Sequence, residues 1–422
     1  TEVVRELKVM SYNAWHGWGQ ISDGHRKGLE SLILADADLI GMQESTDNVS
    51  GSGVYQPQKV AADLGWYYQS GGTGSLGVIS RYPIVDHALA AGSAHGVKVK
   101  VTESPLREVI LMNCHLDYRR YGPYAAQLAG ATEASVLVEE RASQRDEQIA
   151  ALMSGMTSLL ENAEAVPVFL TGDFNAPSHL DWVPETSDLH NGIESVAWPT
   201  SVAVLGGGMS DSFRAVHPKP ELLMGETWSP LFKGTEAQDR IDFVYYKGSA
   251  VSPVASEVFT TAVEVTLGTW GASTTPALGN TWPSDHASVV TVFKMASVDD
   301  DEDGMCDAFE VKTFGSVAVE EGGGDADGDG ASNAEEEIFA SDPTDWSSRP
   351  GVKVEVPESV PQASFTFSEK AYEANLFCEK SKDLEGWDVV WSYREDPMFQ
   401  DAMILVSEAN AGIYSARFRD AS

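Results

Sequence analysis

The segment Val166–Asn175 has the sequence VPVFLTGDFN and joins a short apolar run directly to polar residues. Its β-branched and aromatic residues, together with its short length, predict a buried strand. Asp173 and Asn175 alternate at the end of this run, so both side chains are predicted to face the same side of a sheet. A carboxylate and an amide at the end of a buried strand indicate a candidate functional site.

Five other short polar motifs lie at the ends of apolar runs. They are SYNAW from Ser11, MQES from Met42, NCHLD from Asn113, DRIDF from Asp239 and PSDHA from Pro283. Since strand ends converge on one rim of a sheet, we expect their polar residues to meet. The expected cluster contains Asn13, Glu44, His115, Asp173, Asn175, Asp242, Asp285 and His286. Such carboxylates, amides and imidazoles suit a hard divalent cation and a phosphate ester.

In this order the six motifs resemble the endonuclease/exonuclease/phosphatase superfamily, whose fold is DNase I-like. The resemblance extends from Leu7 to Phe293 and includes SRYPI from Ser80. One such motif would recur by chance, whereas six in order beside strands are specific. The resemblance implies an α/β fold, a four-layer α/β sandwich in which two mixed sheets pack face to face with helices outside.

The resemblance also implies a catalytic Mg²⁺ or Mn²⁺ ion. Glu44 corresponds to the principal metal ligand of the family, and a carboxylate at a strand end suits a hard cation. Asn13 would hydrogen-bond a metal-bound water or ligand, and Asp285 would lie near the metal. The sequence does not decide between one and two catalytic metals.

The remaining residues of the cluster are assigned catalytic roles by the same resemblance. His286 corresponds to the catalytic histidine, and Asp242 would orient its ring as in a hydrolase triad, with Asp239 as the alternative partner. Asp173 would align water or assist the leaving group. Asn175 and His115 would contact the phosphate. In-line attack by water is predicted, with either His286 or Asp173 as the base.

The segment after His115 contains the basic and aromatic residues nearest to the predicted site. Asp117 is predicted either to bind a second metal or to cap the following turn. Arg119 and Arg120, with Tyr121, suit a terminal or second phosphate group, because arginine binds phosphate in a bidentate manner. The alternative is that these arginines form surface ion pairs with the abundant acidic residues.

The chain is strongly acidic, with a formal net charge of −36 over 422 residues. Residues 1–298 carry 34 acidic and 19 basic residues, a net charge of −15. A long polyanion such as DNA is therefore disfavoured as a substrate. We predict a hydrolase of small or lipid-derived phosphate esters, a phosphodiesterase or phosphatase. The alternatives are an extracellular nuclease and a calcium-dependent adhesion protein whose DNase-like domain lacks catalysis.

Two acidic segments follow a predicted boundary at residue 296. Each places acidic or amide side chains and a glycine at the spacing of an EF-hand-type calcium loop, in which alternate side chains point inward and the last glutamate supplies two oxygens. The predicted ligands of the first loop are Asp299, Asp301, Asp303, the Met305 carbonyl, Asp307 and Glu310. Those of the second are Asp325, Asp327, Asp329, the Ala331 carbonyl, Asn333 and Glu336. This pair resembles the calcium repeats of dockerins and thrombospondin type 3 modules, which implies a rigid spacer.

Three regions are predicted: a catalytic domain at 1–296, the paired calcium loops at 297–350 and a small β-sandwich-like module at 351–422. The chain has no apolar run of membrane-spanning length. It begins with Thr1 and shows no signal peptide, which indicates a processed or engineered N-terminus. Three scattered cysteines argue against a disulfide framework. We predict a secreted or periplasmic bacterial protein, monomeric in solution.

Overall fold

The computed structural model describes residues 6–71, 75–103, 106–273, 278–295, 299, 301, 303–316, 319–339 and 341–348, together with the backbone of strands between 352 and 418. The chain divides into two compact units, Thr1–Met295 and Ala296–Ser422. Within the described residues, no helix combines the length and the apolar composition that crossing a membrane requires.

The first unit alternates strands and helices. Its strands are β1 (Glu6–Asn13), β2 (Leu39–Gln43), β3 (Tyr67–Ser70), β4 (Leu76–Ser80), β5 (Ile84–Ala91), β6 (Ala94–Glu103), β7 (Leu106–His115), β8 (Val168–Asp173), β9 (Ser210–Asp211), β10 (Asp242–Lys247), β11 (Val251–Phe259) and β12 (Ser288–Met295). Its helices are α1 (Gly24–Ala35), α2 (Gln56–Leu64), α3 (Gly122–Ala126), α4 (Glu133–Glu140), α5 (Arg145–Glu161), α6 (Pro199–Gly206) and α7 (Ser212–Val216). A 3₁₀ turn spans Pro184–His190.

These strands form two six-stranded sheets, in the orders β11-β12-β1-β2-β4-β3 and β5-β6-β7-β8-β10-β9. Both sheets are mixed, because β1 pairs with β2 and β7 with β8 in parallel while the other pairs are antiparallel. In the second sheet the register sets His115 and Asp242 on either side of Asp173. Three of the predicted site residues are therefore neighbours across adjacent strands.

The apolar residues of the strands explain the layering. One core lies between the sheets, where Val9 of β1 and Leu111 of β7 are fully buried and the rings of Phe169 and Phe293 lie 4.8 Å apart. A second core packs α5 on the outer face of the second sheet, and a third packs α1 and α2 on the outer face of the first. Two sheets between layers of helices form the predicted four-layer α/β sandwich, so the predicted fold class is confirmed.

The apolar runs that precede the motifs form strands, since β1 ends at Asn13, β7 at His115 and β8 at Asp173. The apolar spacing of residues 124–160 predicts one long helical stretch with a break near 139–143; α4 ends and α5 begins around that point, but residues 127–132 between α3 and α4 are not helical. The Pro-, Gly- and Ser-rich composition of residues 176–234 predicts loops that wall a site, and this prediction is wrong in part. This segment contains α6 and α7, and Trp182, Trp198 and Phe213 within it are buried.

The second unit contains the acidic segments and the C-terminal strands. Helix α8 (Asp307–Thr313) and helix α9 (Asn333–Phe339) begin inside the two predicted calcium loops. The strands are β13 (Val352–Glu355), β14 (Gln362–Phe365), β15 (Leu376–Ser381), β16 (Asp388–Ser392), β17 (Met403–Leu405) and β18 (Ile413–Phe418). They form two three-stranded antiparallel sheets. The packing of these sheets as a sandwich stays a prediction.

Candidate active site

Asp173 lies at the centre of the predicted cluster. It ends β8 and is 1% exposed. Its Oδ2 accepts a hydrogen bond of 2.9 Å from Asn13 Nδ2 and lies 3.4 Å from His115 Nε2. The same oxygen lies 3.7 Å from His286 Nε2. Side chains from both sheets thus converge on one carboxylate oxygen, as the strand-end argument predicts.

His286 is paired with Asp242. The His286 Nδ1 atom lies 2.9 Å from Asp242 Oδ2, and both residues are almost fully buried. Burial alone would lower the pKa of His286, but the carboxylates of Asp242 and Asp173 outweigh it and raise this pKa to about 10. The ring is therefore an imidazolium near neutral pH when no cation shares the site.

Asp239, the alternative partner, lies elsewhere. Its carboxylate accepts hydrogen bonds from the Tyr121 hydroxyl at 2.9 Å and from Trp182 Nε1 at 3.0 Å. Of the two aspartates in the DRIDF motif, the structure therefore pairs Asp242 with the histidine. Asp239 holds the surrounding aromatic residues in place.

Glu44 and Asp285 add two more carboxylates to the site. The backbone N–H of His16 donates to Glu44 Oε2 at 2.9 Å. Burial raises the pKa of Asp285 well above its usual range, and the charge of Glu44 adds to the rise. Glu44 also has a φ of +50°, a left-handed conformation that is strained for a residue other than glycine. The protein keeps Glu44 in this position despite the strain.

The set of donors fits a hard divalent cation. Glu44, Asp173, Asp242 and Asp285 bring four carboxylates together against two imidazoles, and three of these carboxylates are at most 3% exposed. One ligand atom from each of Asp173, Asp242 and His286 lies within 4.8 Å of the others. Burying such an excess of negative charge is unfavourable unless a cation compensates it. Oxygen ligands of this kind are those that Mg²⁺ and Mn²⁺ prefer.

His115 and Asn175 complete the predicted set. His115 ends β7, and its side chain is 19% exposed, so its ring borders solvent as well as Asp173. Asn175 has a φ of +50°, and its backbone N–H donates to Asp173 Oδ1 at 2.8 Å. Its side-chain amide donates to the Leu116 carbonyl at 3.1 Å. Asn175 therefore fixes both the Asp173 carboxylate and the loop that follows His115.

Residues 10–286 match the Endonuclease/Exonuclease/phosphatase family. The chain belongs to this family. Its members hydrolyse phosphoester bonds and depend on divalent metal ions, in agreement with the carboxylate-rich site. The matched residues extend from β1 to His286 and include all eight predicted site residues.

Individual proteins and solved structures are similar to the chain at low sequence identity. An uncharacterised Caenorhabditis elegans protein, F14F9.5, is 29% identical over 258 residues, which are 58% of this chain and 80% of that protein. The crystal structure of truncated Caenorhabditis elegans TDP2 is 16% identical, with a TM-score of 0.44, and covers 68% of this chain and 97% of its own. The structure of the human nocturnin catalytic domain with bound sulfate is 16% identical, with a TM-score of 0.43. It covers 70% of this chain and 97% of the nocturnin chain.

The residues after His115 make contacts within the protein. Asp117 accepts hydrogen bonds from Arg119 Nε at 3.0 Å and from the Gln144 N–H at 3.1 Å, at the start of α5. Arg120 pairs with Glu139 at 3.0 Å. Tyr121 is buried and donates to Asp239. Asp117 thus caps the turn before α5, and Arg119 and Arg120 form ion pairs within the protein.

A polar layer beneath the site was not predicted from the sequence. It links the two sheets through the fully buried side chains of Ser11, Gln43, Asn113 and Thr171. Asn113 is central to it, because its Oδ1 accepts from Gln43 Nε2 at 2.6 Å and its Nδ2 donates to the carbonyls of Met42 and Gly77. The available signal was a polar residue inside each of four apolar strands. This layer fixes the distance between the strands that carry Glu44 and Asp173.

Two residues of the segment before β10 were also missed. The Trp228 ring lies 4.9 Å from the His286 ring, between centroids. Buried Glu236 accepts hydrogen bonds from Trp228 Nε1 at 3.3 Å, from the Tyr124 hydroxyl at 2.5 Å and from the Trp270 N–H at 2.5 Å. The segment lacks a regular period, so its packing against His286 has no local signal in the sequence. Trp228 excludes water from one side of His286.

Replacing Asp239 with asparagine tests the buried network. Burial raises the pKa of Asp239 to about 7, although Tyr121 and Trp182 donate to it. Because this pKa exceeds the unfolded value of about 4, the contribution of Asp239 to stability is present below pH 4 and is lost as the pH rises through 7. We expect the free energy of unfolding of the wild type to fall relative to Asp239→Asn by up to about 4 kcal/mol over this window, which corresponds to three pKa units.

Urea unfolding at several pH values measures this difference. Exposed Asp188 provides the matched control, because Asp188→Asn makes the same chemical change outside the network. Parallel pH dependences for the wild type and Asp239→Asn would contradict the assignment.

The acidic segments of the second unit form tight loops. Gly304 and Gly330 occupy the predicted turn positions with φ values of +95° and +100°. Asp299, Asp301 and Asp303 converge in the first loop, and Asp325, Asp327 and Asp329 in the second. Asp325 accepts backbone hydrogen bonds from Gly328, Asp329 and Gly330. The predicted ligand Asp307 has its side chain outside the described residues.

Glu336 is the distinctive residue of the second loop. It is fully buried, and its carboxylate oxygens make no close hydrogen bond among the described residues. Burial raises the pKa of Glu336 to about 7, and the charges of Asp327 and Asp329 contribute to the rise, while the neighbouring Ser341 hydroxyl, a donor, partly opposes it. A buried carboxylate directed toward three aspartates suits a cation as its missing partner.

Proposed function

We propose that this protein is a secreted, divalent-metal-dependent hydrolase of small or lipid-derived phosphate esters. It would act as a phosphodiesterase or phosphatase through in-line attack by water. The observation that carries the proposal is the convergence of Asn13, His115 and His286 on the carboxylate of Asp173, beside Glu44 and Asp285. The nitrogen atoms can donate hydrogen bonds to the oxygens of a phosphoryl group. The carboxylates can bind the cation that neutralises the phosphoryl charge.

The geometry supports a division of roles between Asp173 and His286. His286 is suited to donate a hydrogen bond to the phosphoryl oxygens or the leaving group, because its Nε2 faces the cluster and lies 3.7 Å from Asp173 Oδ2. Asp173 is proposed as the base that accepts the proton of the attacking water, because its carboxylate lies at the centre of the cluster and Asn13 Nδ2 orients its Oδ2. Asp242 fixes the ring through Nδ1. Glu44, Asp285 and Asn13 would hold a Mg²⁺ or Mn²⁺ ion, which would supply Lewis-acid polarisation of the phosphate.

A panel of substrates tests the proposal. We expect hydrolysis of bis(p-nitrophenyl) phosphate and glycerophosphocholine in the presence of Mg²⁺ or Mn²⁺, with lower kcat/KM on plasmid DNA at low salt. The physical reason is the net charge of −15 of residues 1–298, which repels a polyanion. A strong preference for DNA that disappears as salt is raised would favour the nuclease alternative. Absence of hydrolysis of every substrate with either metal would contradict the enzyme assignment.

We further propose that the acidic loops bind Ca²⁺. The proposal is supported by the aspartate clusters of both loops and by the buried carboxylate of Glu336. Loops of this type outside cells bind calcium with dissociation constants of about 10⁻⁴–10⁻³ M. Calcium at that level is found outside the cytoplasm, which is consistent with the proposed secreted or periplasmic location.

Chelation of calcium is expected to destabilise residues 299–345. Calcium at about 100 times its dissociation constant would stabilise the loops by about 2.7 kcal/mol, because it binds only the folded form. Scanning calorimetry with and without a chelator measures the effect, and hydrolysis should depend on Mg²⁺ or Mn²⁺ separately. An unchanged calorimetric trace would contradict calcium binding.

Glu336→Gln sharpens the calcium test. This variant loses the two carboxylate oxygens directed into the second loop, so we expect calorimetric titration to show at least about tenfold weaker calcium binding there. Glu335→Gln is the matched control, since Glu335 lies in the same helix and accepts hydrogen bonds from Ser332. Equal calcium affinities in the two variants would argue against Glu336 as a ligand.

A further inference from the structure

Two exposed aromatic residues lie side by side on the catalytic unit. Tyr118 is 58% exposed and Trp270 is 54% exposed, and their ring centroids are 6.3 Å apart at an interplanar angle of 53°. The guanidinium of Arg119 lies 5.8 Å from the centre of the Tyr118 ring. Neighbouring exposed aromatic side chains form an apolar surface that a ligand can cover.

The position of Tyr118 places this pair beside the active site. Tyr118 follows His115 by three residues, and three residues span at most about 11 Å even when fully extended. His115 Nε2 itself lies 3.4 Å from Asp173 Oδ2. An aromatic group attached to the phosphorus through a sugar or a short linker covers a similar distance.

Trp270 is connected to the catalytic histidine by a chain of contacts. Its backbone N–H donates to Glu236, Glu236 accepts from Trp228 Nε1, and the Trp228 ring contacts His286. The loop before Trp270 is also anchored by buried Leu267, which lies in the same apolar cluster as Trp228 and Phe232. The exposed ring of Trp270 therefore projects from a fixed base.

We propose that Tyr118 and Trp270 form an aromatic subsite that binds the base of a short nucleotide-type phosphodiester. This inference rests on the proposed phosphoesterase function and specifies its substrate class. Two tilted rings offer one face for stacking and one edge for a T-shaped contact with a planar group, and Arg119 adds a cation beside it. Aromatic stacking tolerates every base, because each base has a π-face.

The charge of the catalytic unit limits the length of the ligand. Arg119 and Arg120 are paired with Asp117 and Glu139, and residues 1–298 have a net charge of −15. A nucleic acid strand needs a positively charged groove along its backbone, whereas a dinucleotide carries few charges. A flat base also uses aromatic faces better than a flexible acyl chain does. The negative charge and the aromatic pair together therefore favour short, base-bearing esters over polymers and over lipids.

Kinetics with two diesters test the subsite. The substrates are the dinucleotide thymidylyl-(3′→5′)-thymidine and glycerophosphocholine, which has no planar group. We expect the ratio of their kcat/KM values to favour the dinucleotide in the wild type. In a Tyr118→Ala/Trp270→Ala variant this ratio should fall about tenfold or more, mainly through a higher KM for the dinucleotide, because each stacked base contributes this much to binding.

Conservative variants separate stacking from folding. Tyr118→Phe and Trp270→Phe keep an aromatic ring and should retain the dinucleotide preference within about threefold. Tyr67→Ala removes another exposed aromatic residue, on strand β3, and should leave the ratio unchanged. A ratio that does not change in the double alanine variant would overturn the subsite. If the wild type hydrolyses neither diester, the proposed function fails and the subsite that rests on it fails with it.

Long single strands provide the remaining comparison. Oligothymidylate of about thirty nucleotides should have a lower kcat/KM per molecule than the dinucleotide at low salt, because the acidic unit repels it. A higher value would contradict a subsite for short esters and would indicate a strand-binding surface instead.

Discussion

Replacing His286 with alanine is expected to lower kcat/KM for bis(p-nitrophenyl) phosphate by about 10³-fold or more, near the upper part of the range for loss of a positioned acid–base group. The variant loses the ring that lies 3.7 Å from Asp173 Oδ2 and 2.9 Å from Asp242 Oδ2. Steady-state kinetics on enzyme purified alongside the wild type measures the loss. Circular dichroism should show a folded protein.

Asp242→Asn tests whether the contribution of His286 to activity depends on its contact with Asp242. The imidazole remains in this variant, but the charge that holds its Nδ1 is lost, so we expect a fall in kcat of about 10²–10⁴-fold. Because the two residues act as a unit, the double variant His286→Ala/Asp242→Asn should lose little more activity than the more damaging single variant. Fully additive losses would show that the pair does not act as a unit.

Two further observations distinguish a catalytic from a structural role of His286. Added imidazole should restore part of the activity of His286→Ala, because it can occupy the space left by the ring, and a purely structural defect would not respond. His87→Ala is the matched control, since His87 is an exposed histidine that contacts Gln69. Wild-type activity in His286→Ala would contradict the proposed mechanism.

The site was predictable because its residues lie at the ends of strands with clear local patterns. Apolar runs such as VFLTGD predict strands, and parallel β7 and β8 bring His115 and Asp173 to the same level. The order of the motifs then indicated the family, and the family resemblance implied two mixed sheets packed face to face. The grouping of the eight site residues therefore followed from local signals together with one topology.

Contacts that depend on tertiary packing could not be predicted in the same way. Asp239 and Asp242 lie in one motif, and only the register of β10 against β8 places Asp242 beside Asp173. Strands β6, β11 and β12 were not identified, although β12 lies next to β1. Trp228 contacts His286 and Glu236 contacts Trp228, and both residues lie in a segment without periodicity, so their roles depend on how that segment packs.

The polar layer shows why some buried polar residues carry no separate signal. Asn113 lies in the NCHLD motif beside the candidate His115, but its partners are Gln43, Met42 and Gly77 in the other sheet. Gly41 is needed there, because a Cβ atom at this position would lie 1.9 Å from Thr171 Oγ1. These requirements follow from the close approach of two sheets, which a single segment does not encode.

Arg240 also lies in a motif but makes its contacts through tertiary packing, and its replacement is expected to cause a large loss of stability. Its buried guanidinium donates to Asp181 at 2.9 Å and to Asp211 at 2.7 Å, and Arg214 pairs with Asp181 at 2.6 Å. Replacing Arg240 with alanine would leave two buried carboxylates short of compensating charge. We expect the free energy of unfolding to fall by about 3–5 kcal/mol, as for other buried pairs that lose one partner.

Urea unfolding followed by tryptophan fluorescence measures this loss, and Arg26→Ala is the control, because the exposed Arg26–Glu30 pair contributes only about 0.3–0.5 kcal/mol. Arg240→Lys should have an intermediate effect, since lysine keeps the charge but cannot bridge Asp181 and Asp211 with a planar fork.

At temperatures where Arg240→Ala is folded, its KM should stay within a few-fold of the wild type. A large rise in KM with unchanged stability would instead identify Arg240 as a phosphate-binding residue. The ion pairs on both sides of its guanidinium argue for the structural role.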